Sequence, residues 1–534
     1  CSEIAYGICW SERHALPDAS MKVLARSVGS AMTRVVDEYL FQVLTREEGS
    51  VLSVADGVVR IGGLPGAGVE EVLRIGQHGT ALVLGLRPSG VEAVLLQRPD
   101  QAEVGAPVRS LQQTAVVAVG DELLGRVVDP LGRPVDGLSL EQPRELMPLE
   151  REAPRIFERT DVHTPLYTGV LAVDSMFPIG RGQRELVVGD EGTGKTAFVL
   201  DALLRQRETD VVCVYVAIGR RRVETWQLVE SLRSAGGRWV VVVAPDDLPP
   251  GMRYLAPFTG TAIAEYFMHR GEHALVVHDD LTAHAIAWRE LSLLLHRPPG
   301  REAYPGDIFH LHARLLERAA QLSTDAGGGS LTTLPVAILE SGRLNAYIPT
   351  NLISITDGQL VFSRDLFVSG QKPAIDASLS VSRVGSRAQA PAFRELAGRL
   401  RLEYASFLEV ESFSRLGTRL EAETQARIET GRRIRALLRA PRLAPLSVWE
   451  EVVRLVLAQT QELLRVPVDE VPGFADALVR ATELDLANVR LSVERDATLA
   501  ADSRRAIERA IREFVEHSYP TSISEGVEVT IDVD

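Results

Sequence analysis

The chain has 534 residues, 45% of them apolar and 24% charged, and a formal net charge of -14. That length predicts two to four domains, and the acidic balance argues against a duplex-binding protein, which needs a basic face for phosphates. No apolar run approaches the roughly 20 residues that cross a bilayer, so membrane association is expected only through partners. Cys1, Cys9 and Cys213 form no CxxC pair and signal neither a zinc site nor a disulfide framework. His310 and His312 are two apart, a spacing that does not share a helix face, and no metal is assigned to them.

Residues 1–46 are mixed, with a helical pattern over Met32–Val43. Over 47–120 short apolar runs, among them Val51-LSVADGVVRI, Ala81-LVLGL and Val91-EAVLL, are punctuated by glycines. This spacing predicts a small barrel or sandwich. From 121 to 391 fully apolar strands (Glu185-LVVG, Val211-VCVYVAI, Arg238-WVVVVA, Ala274-LVVH) alternate with helix-like stretches. Strands apolar on both faces and separated by helices predict a parallel α/β sheet. Over 392–518 helical periodicity takes over, at Phe393–Phe407, Leu416–Leu438 and Val448–Leu464. The acidic tail, 519–534, reads as flexible or as a terminal extension.

Between the strand ending Glu185-LVVG and the helix-like Ala197-FVLDALLRQ lies the loop Gly189, Asp190, Glu191, Gly192, Thr193, Gly194, Lys195, Thr196. It matches G-x-x-x-x-G-K-[ST] in the strand–loop–helix context that the motif requires. Such a loop turns backbone N–H groups inward around phosphate oxygens at the positive end of a helix. Lys195 would neutralise the terminal phosphates and Thr196 would offer a hydroxyl to Mg²⁺. The strand Ala274-LVVH runs into Asp279-Asp280. Asp279 is the better candidate to hold that metal through water, and Asp280 to cap the following helix.

Long stretches of the chain resemble the alpha subunit of F-type ATP synthases. They include Ala172-VDSMFPIGRGQREL, Tyr215-VAIG, Arg253-YLAP, Leu291-SLLLHRPPGREAYPGD, Leu315-LERAAQLS, Gly327-GGSLT, Ile348-PTNLISITDGQ and Val381-SRVGS. The resemblance implies an N-terminal β-barrel, a central RecA-like P-loop domain that binds Mg-ATP or ADP, and a C-terminal helical bundle. It implies an alternating hexameric ring with catalytic beta subunits, around a rotating central (gamma) stalk and steadied by a peripheral stalk that the N-terminus contacts; Met32–Val43 reads either as that contact or as a simple solvated helix. The complex would translocate protons or sodium ions and sit peripherally on the cytoplasmic face of a bacterial or archaeal plasma membrane. By the same resemblance Arg383, in Ser382-Arg383-Val384-Gly385, is an arginine finger reaching into the neighbouring beta subunit's catalytic site.

Catalytic relatives place a glutamate directly after the glycine that follows the second sheet strand. Here that position reads Gly219-Arg220, and an arginine stays protonated and cannot act as a base. The chain is therefore expected to be regulatory and inactive alone. Other departures touch its own nucleotide site: Glu191 and Gly192 in the loop, Arg220, Lys372 before Pro373, and Ala440 and Arg442 where the family has glutamines. Retained and lost nucleotide binding both remain open on these residues, and the departures suggest a divergent, alternate F-type branch. The rival reading is a homohexameric RecA-like motor of secretion or Rho-like type, which would need its own catalytic carboxylate.

Overall fold

The computed structural model describes residues 47–97, 102–140, 145–414 and 422–519; the Met32–Val43 segment and the tail after Tyr519 lie outside them. Among the described residues six antiparallel strands come first: β1 (Glu48–Ala55), β2 (Val58–Gly62), β3 (Glu71–Ile75), β4 (Gly79–Arg87), β5 (Gly90–Leu95) and β6 (Pro107–Thr114). They close into a barrel in the order β1-β2-β5-β4-β3-β6, with β6 returning to β1. Every second side chain points inward, as the pleat requires. Val59 and Ile61, Leu73 and Ile75, Ala81 and Val83, and Val91 and Ala93 fill the interior. The outward residues of β4 and β5, Leu82, Leu84 and Val94, are also buried, because they pack into the core of the next domain. That double burial explains why these two runs read as apolar throughout.

Among the described residues the central sheet has nine strands. Its main path uses β7 (Val127–Val128), β8 (Leu186–Asp190), β9 (Val211–Ile218), β10 (Trp239–Ala244), β11 (His273–Asp279), β12 (Ser330–Leu339), β13 (Gly358–Phe362) and β14 (Val381–Ser382). The spatial order is β14-β13-β8-β12-β11-β9-β10-β7, parallel except for the edge strand β14. Alternate residues feed two cores. On β9, Val211, Cys213, Tyr215 and Ala217 face one, and Val212, Val214, Val216 and Ile218 face the other. Covering helices include α1 (Lys195–Arg205), α2 (Arg222–Ala235), α3 (Pro250–His269), α4 (Leu281–Leu294), α5 (Ile308–Leu316) and α6 (Tyr347–Ile355). Both faces of a parallel sheet must be covered, so the strands are apolar on both sides.

The C-terminal domain holds α7 (Pro391–Ser414), α8 (Ala422–Leu437), α9 (Val448–Ala458), α10 (Val471–Asp485), α11 (Ala487–Asp496) and α12 (Ala501–Ser518). Ser447 starts α9 with a capping box: its hydroxyl accepts the Glu450 N–H at 3.2 Å, and Glu450 accepts the Ser447 N–H at 2.6 Å. α9 ends at Ala458, short of the expected Leu464, and a separate 3₁₀ turn (Gln461–Arg465) follows. Leu463 stays buried in that turn, so the apolar pattern runs on where the helix stops. The core of this domain is continuous with the α1 side of the sheet.

Candidate functional site

β8 delivers the phosphate loop at the carboxy end of the sheet. Gly189 and Asp190 close the strand, Glu191 and Gly192 are exposed, Thr193 is buried, and Gly194 precedes α1. Gly194 has φ +97° and makes no side-chain cap. A Cβ is disfavoured at that angle, and the first N–H groups of α1 are left for an anion. Lys195 Nζ donates to the carbonyls of Gly189 (2.7 Å) and Asp190 (2.6 Å), and Thr193 Oγ1 donates to Asp190 O at 2.7 Å. The Asp190 carboxylate turns away and accepts the Gly342 N–H at 2.7 Å. Burial pushes the Lys195 ammonium down to about 8, against the opposing pull of Asp279 and Asp280.

Parallel pairing sets Ala217 of β9 beside Asp279, the last residue of β11. Asp279 is fully buried. One of its oxygens accepts the Tyr215 hydroxyl at 2.7 Å and the Thr196 hydroxyl at 3.3 Å. Its other oxygen is ion-paired with Arg220, whose Nη2 also reaches Thr196 Oγ1 at 3.4 Å. Burial works against the Arg220 charge, but Asp279 more than offsets it and holds the guanidinium above its ordinary value. Burial and then Asp279 keep the Tyr215 phenol well above its own, so it acts as donor. Asp280 caps α4, accepting the Ala283 N–H at 2.7 Å, and burial pushes its carboxyl up to about 6. The two residues expected to hold a metal, Thr196 and Asp279, are thus brought together with Arg220 bonded to both.

Arg220 gets there through a forced turn. Gly219 has φ +67°, and a Cβ on it would stand 3.0 Å from the Ala283 Cβ. Two cavities flank α1. One, of about 220 Å³, is bordered by Thr196, Tyr215, Arg220, Glu224 and Arg442. The other, of about 300 Å³, lies between the loop residues Thr193 and Gly194, the side chains of Phe367 and Pro373, and the stretch Ala440–Arg442. Lys372 sits 5.2 Å over the Phe367 ring. Sequence reasoning missed three residues here. Tyr215 looked like core, Phe367 carried no motif, and Asp201 on α1 borders the second cavity with its carboxyl pushed up to about 6 by burial.

Arg383 stands elsewhere. β14 pairs Ser382 with Gly358, at the start of β13, and the Arg383 N–H donates to Asp357 O at 2.8 Å. This is the amino end of the parallel strands, level with Arg184 and roughly 20 Å from the phosphate loop at about 3.3 Å per residue. The side chain is exposed. It donates to Thr356 O at 3.1 Å and Ile353 O at 3.2 Å, carbonyls at the C-terminal end of α6. Among the described residues no carboxylate forms an ion pair with it.

A family model described as ATP synthase alpha/beta family, nucleotide-binding domain, matches residues 169–382, and one for the ATP synthase alpha/beta chain, C terminal domain, matches 389–514. ATP synthase subunit alpha 3 of Paraburkholderia xenovorans is 48% identical over 466 residues, 87% of this chain and 88% of the relative. ATP synthase subunit alpha 2 of Cereibacter sphaeroides is 49% identical over 471 residues, 86% of this chain and 95% of the relative. ATP synthase subunit alpha 2 of Gluconobacter oxydans is 46% identical over 474 residues, 88% and 94% of the two chains.

Proposed function

Because the chain belongs to the ATP synthase alpha/beta family, as an alpha subunit, we propose that it is the non-catalytic partner of catalytic beta subunits in the ring of an F-type ATP synthase. The observation that carries this is Arg220. Hydrolysis of a phosphoanhydride needs a group that orients the attacking water. The position that would supply it holds a guanidinium, ion-paired to Asp279 and permanently protonated. Glu224, further along, borders the cavity from an exposed position on α2.

Arg383 is the chain's contribution to the neighbouring active site. Its distance from its own phosphate loop rules out service there, while its exposure and its carbonyl-held guanidinium suit a phosphoryl group on another chain. Among the described residues no helix is long and apolar enough to cross a membrane, so attachment to the membrane comes through the stalks and the ion-translocating subunits. Those subunits choose between proton and sodium. The departures at Glu191, Arg220, Lys372 and Arg442 favour an alternate F-type branch.

The family implies Mg²⁺ held by Thr196 and Asp279. As these side chains stand they do not fit it, since Arg220 is bonded to both. The test of the proposed role is to purify the full chain alone and mixed with a beta partner. ATP hydrolysis is expected only from the mixture. Turnover by the chain alone would overturn the reading and favour a homohexameric motor.

A further inference from the structure

We propose that Arg220 takes the place of the divalent cation in this phosphate loop, so that the site binds a nucleoside polyphosphate in its magnesium-free form. The inference rests on the reading of this loop as a non-catalytic nucleotide site. A P-loop metal has two jobs: to bridge the threonine hydroxyl and a strand-end carboxylate, and to neutralise phosphate oxygens. Arg220 already does the first. Its Nη2 reaches Thr196 Oγ1, and its ion pair takes one oxygen of Asp279. The other oxygen of Asp279 accepts two donors, Tyr215 and Thr196. A carboxylate oxygen has two lone pairs, so this one is filled, and a metal-bound water would have to share the other oxygen with Arg220.

For the second job Arg220 has donors to spare. A guanidinium carries five N–H donors and cannot be deprotonated. Arg220 Nε is buried and has no hydrogen-bond partner, and the residue borders the cavity next to Thr196. Phosphate oxygens placed there would complete the guanidinium, with Lys195 released from the Gly189 and Asp190 carbonyls to join it. A divalent ion in the same space would instead meet a fixed positive charge in a largely buried site, where screening is weak. Its ion pair with the buried Asp279 holds Arg220 in this place.

The experiment uses the full chain, with ATP titrated calorimetrically in EDTA and in excess Mg²⁺, and thermal melts to confirm that each sample is folded. The wild type is expected to bind ATP in EDTA at least as tightly as in Mg²⁺. Arg220→Gln is expected to lose at least tenfold in EDTA and to recover affinity when Mg²⁺ is added. Replacing Mg²⁺ by Mn²⁺ gives a second readout by electron paramagnetic resonance: no protein-held Mn²⁺ signal with ATP in the wild type, and one in Arg220→Gln. Binding by the wild type that tightens tenfold or more with Mg²⁺, or no binding in either buffer, overturns the proposal. Neither result touches the trans role of Arg383, which turnover of the reconstituted ring tests separately.

Discussion

Two arginines sit at opposite ends of one sheet. Arg220, at the carboxy end, is largely buried, and its charge is met within the chain by Asp279. Arg383, at the amino end, is exposed and held only by neutral carbonyls of α6. The same side chain therefore does opposite work. Where a carboxylate answers the guanidinium, the cation is anchored as part of its own site. Where carbonyls fix its orientation without an ion-paired carboxylate, the guanidinium stays exposed, as the proposed role at a neighbouring chain requires. Burial and pairing, not residue type, divide the two roles.

The contrast breaks most visibly if Arg383 proves dispensable. Arg383→Ala in the reconstituted ring is expected to lower multi-site ATP turnover by about 10³-fold. Because the side chain is exposed, it should move the chain's unfolding free energy by less than ~1 kcal/mol in urea. Arg383→Lys should recover little, since an ammonium cannot make the two-pronged contact of a guanidinium. Arg220→Ala should show the reverse weighting. Removing the partner of a fully buried carboxylate is expected to cost about 3 kcal/mol of folding stability, read as a lower urea midpoint. A loss under 1 kcal/mol would mean that Asp279 does not need the arginine.

Most of the fold could be read from the chain because its signals are local. Strands apolar on both faces, the glycine-rich loop before α1 and the Asp280 cap each follow from neighbouring residues. The Asp279 node could not be read this way. Arg220 is 24 residues from Thr196 and 59 from Asp279, and the three meet only through the parallel register of β9 on β11. The sequence marked Arg220 as the missing carboxylate, but not as the partner of both expected metal-holding residues. Tyr215 was hidden for a related reason. Inside an all-apolar strand its hydroxyl has no visible purpose until the neighbouring strand puts Asp279 2.7 Å away. The end of α9 was missed because Leu463 keeps the apolar period through a turn that is no longer α-helical.

Tyr215→Phe sharpens the account of that node. It deletes one donor to a charged acceptor but leaves Asp279 paired with Arg220 and Thr196. The expected loss is about 1.5 kcal/mol, again from urea unfolding. A loss as large as that of Arg220→Ala would shift the main support of the carboxylate from the guanidinium to the phenol, and the comparison between the two arginines would lose its basis.

The smallest expected effect separates the two cations of the phosphate loop. Lys195 without ligand is held down at about 8, and phosphate oxygens favour its ammonium form, so the bound state has the higher pKa. Affinity for ATP is therefore at its full value below pH 8 and declines as the pH rises through it. Between pH 8 and 9 the loss should be about fivefold, measured by calorimetry in EDTA. Arg220 does not titrate in this range. Its contribution persists above pH 9, where Lys195 without ligand is mostly neutral, and the affinity that remains there belongs to the arginine. Lys195→Met should flatten the profile between pH 8 and 9 at that lower affinity, whereas Arg220→Gln should keep the decline and start from a weaker value. A flat profile in the wild type would mean that Lys195 stays on the Gly189 and Asp190 carbonyls when nucleotide binds, leaving Arg220 as the cation that meets the phosphates.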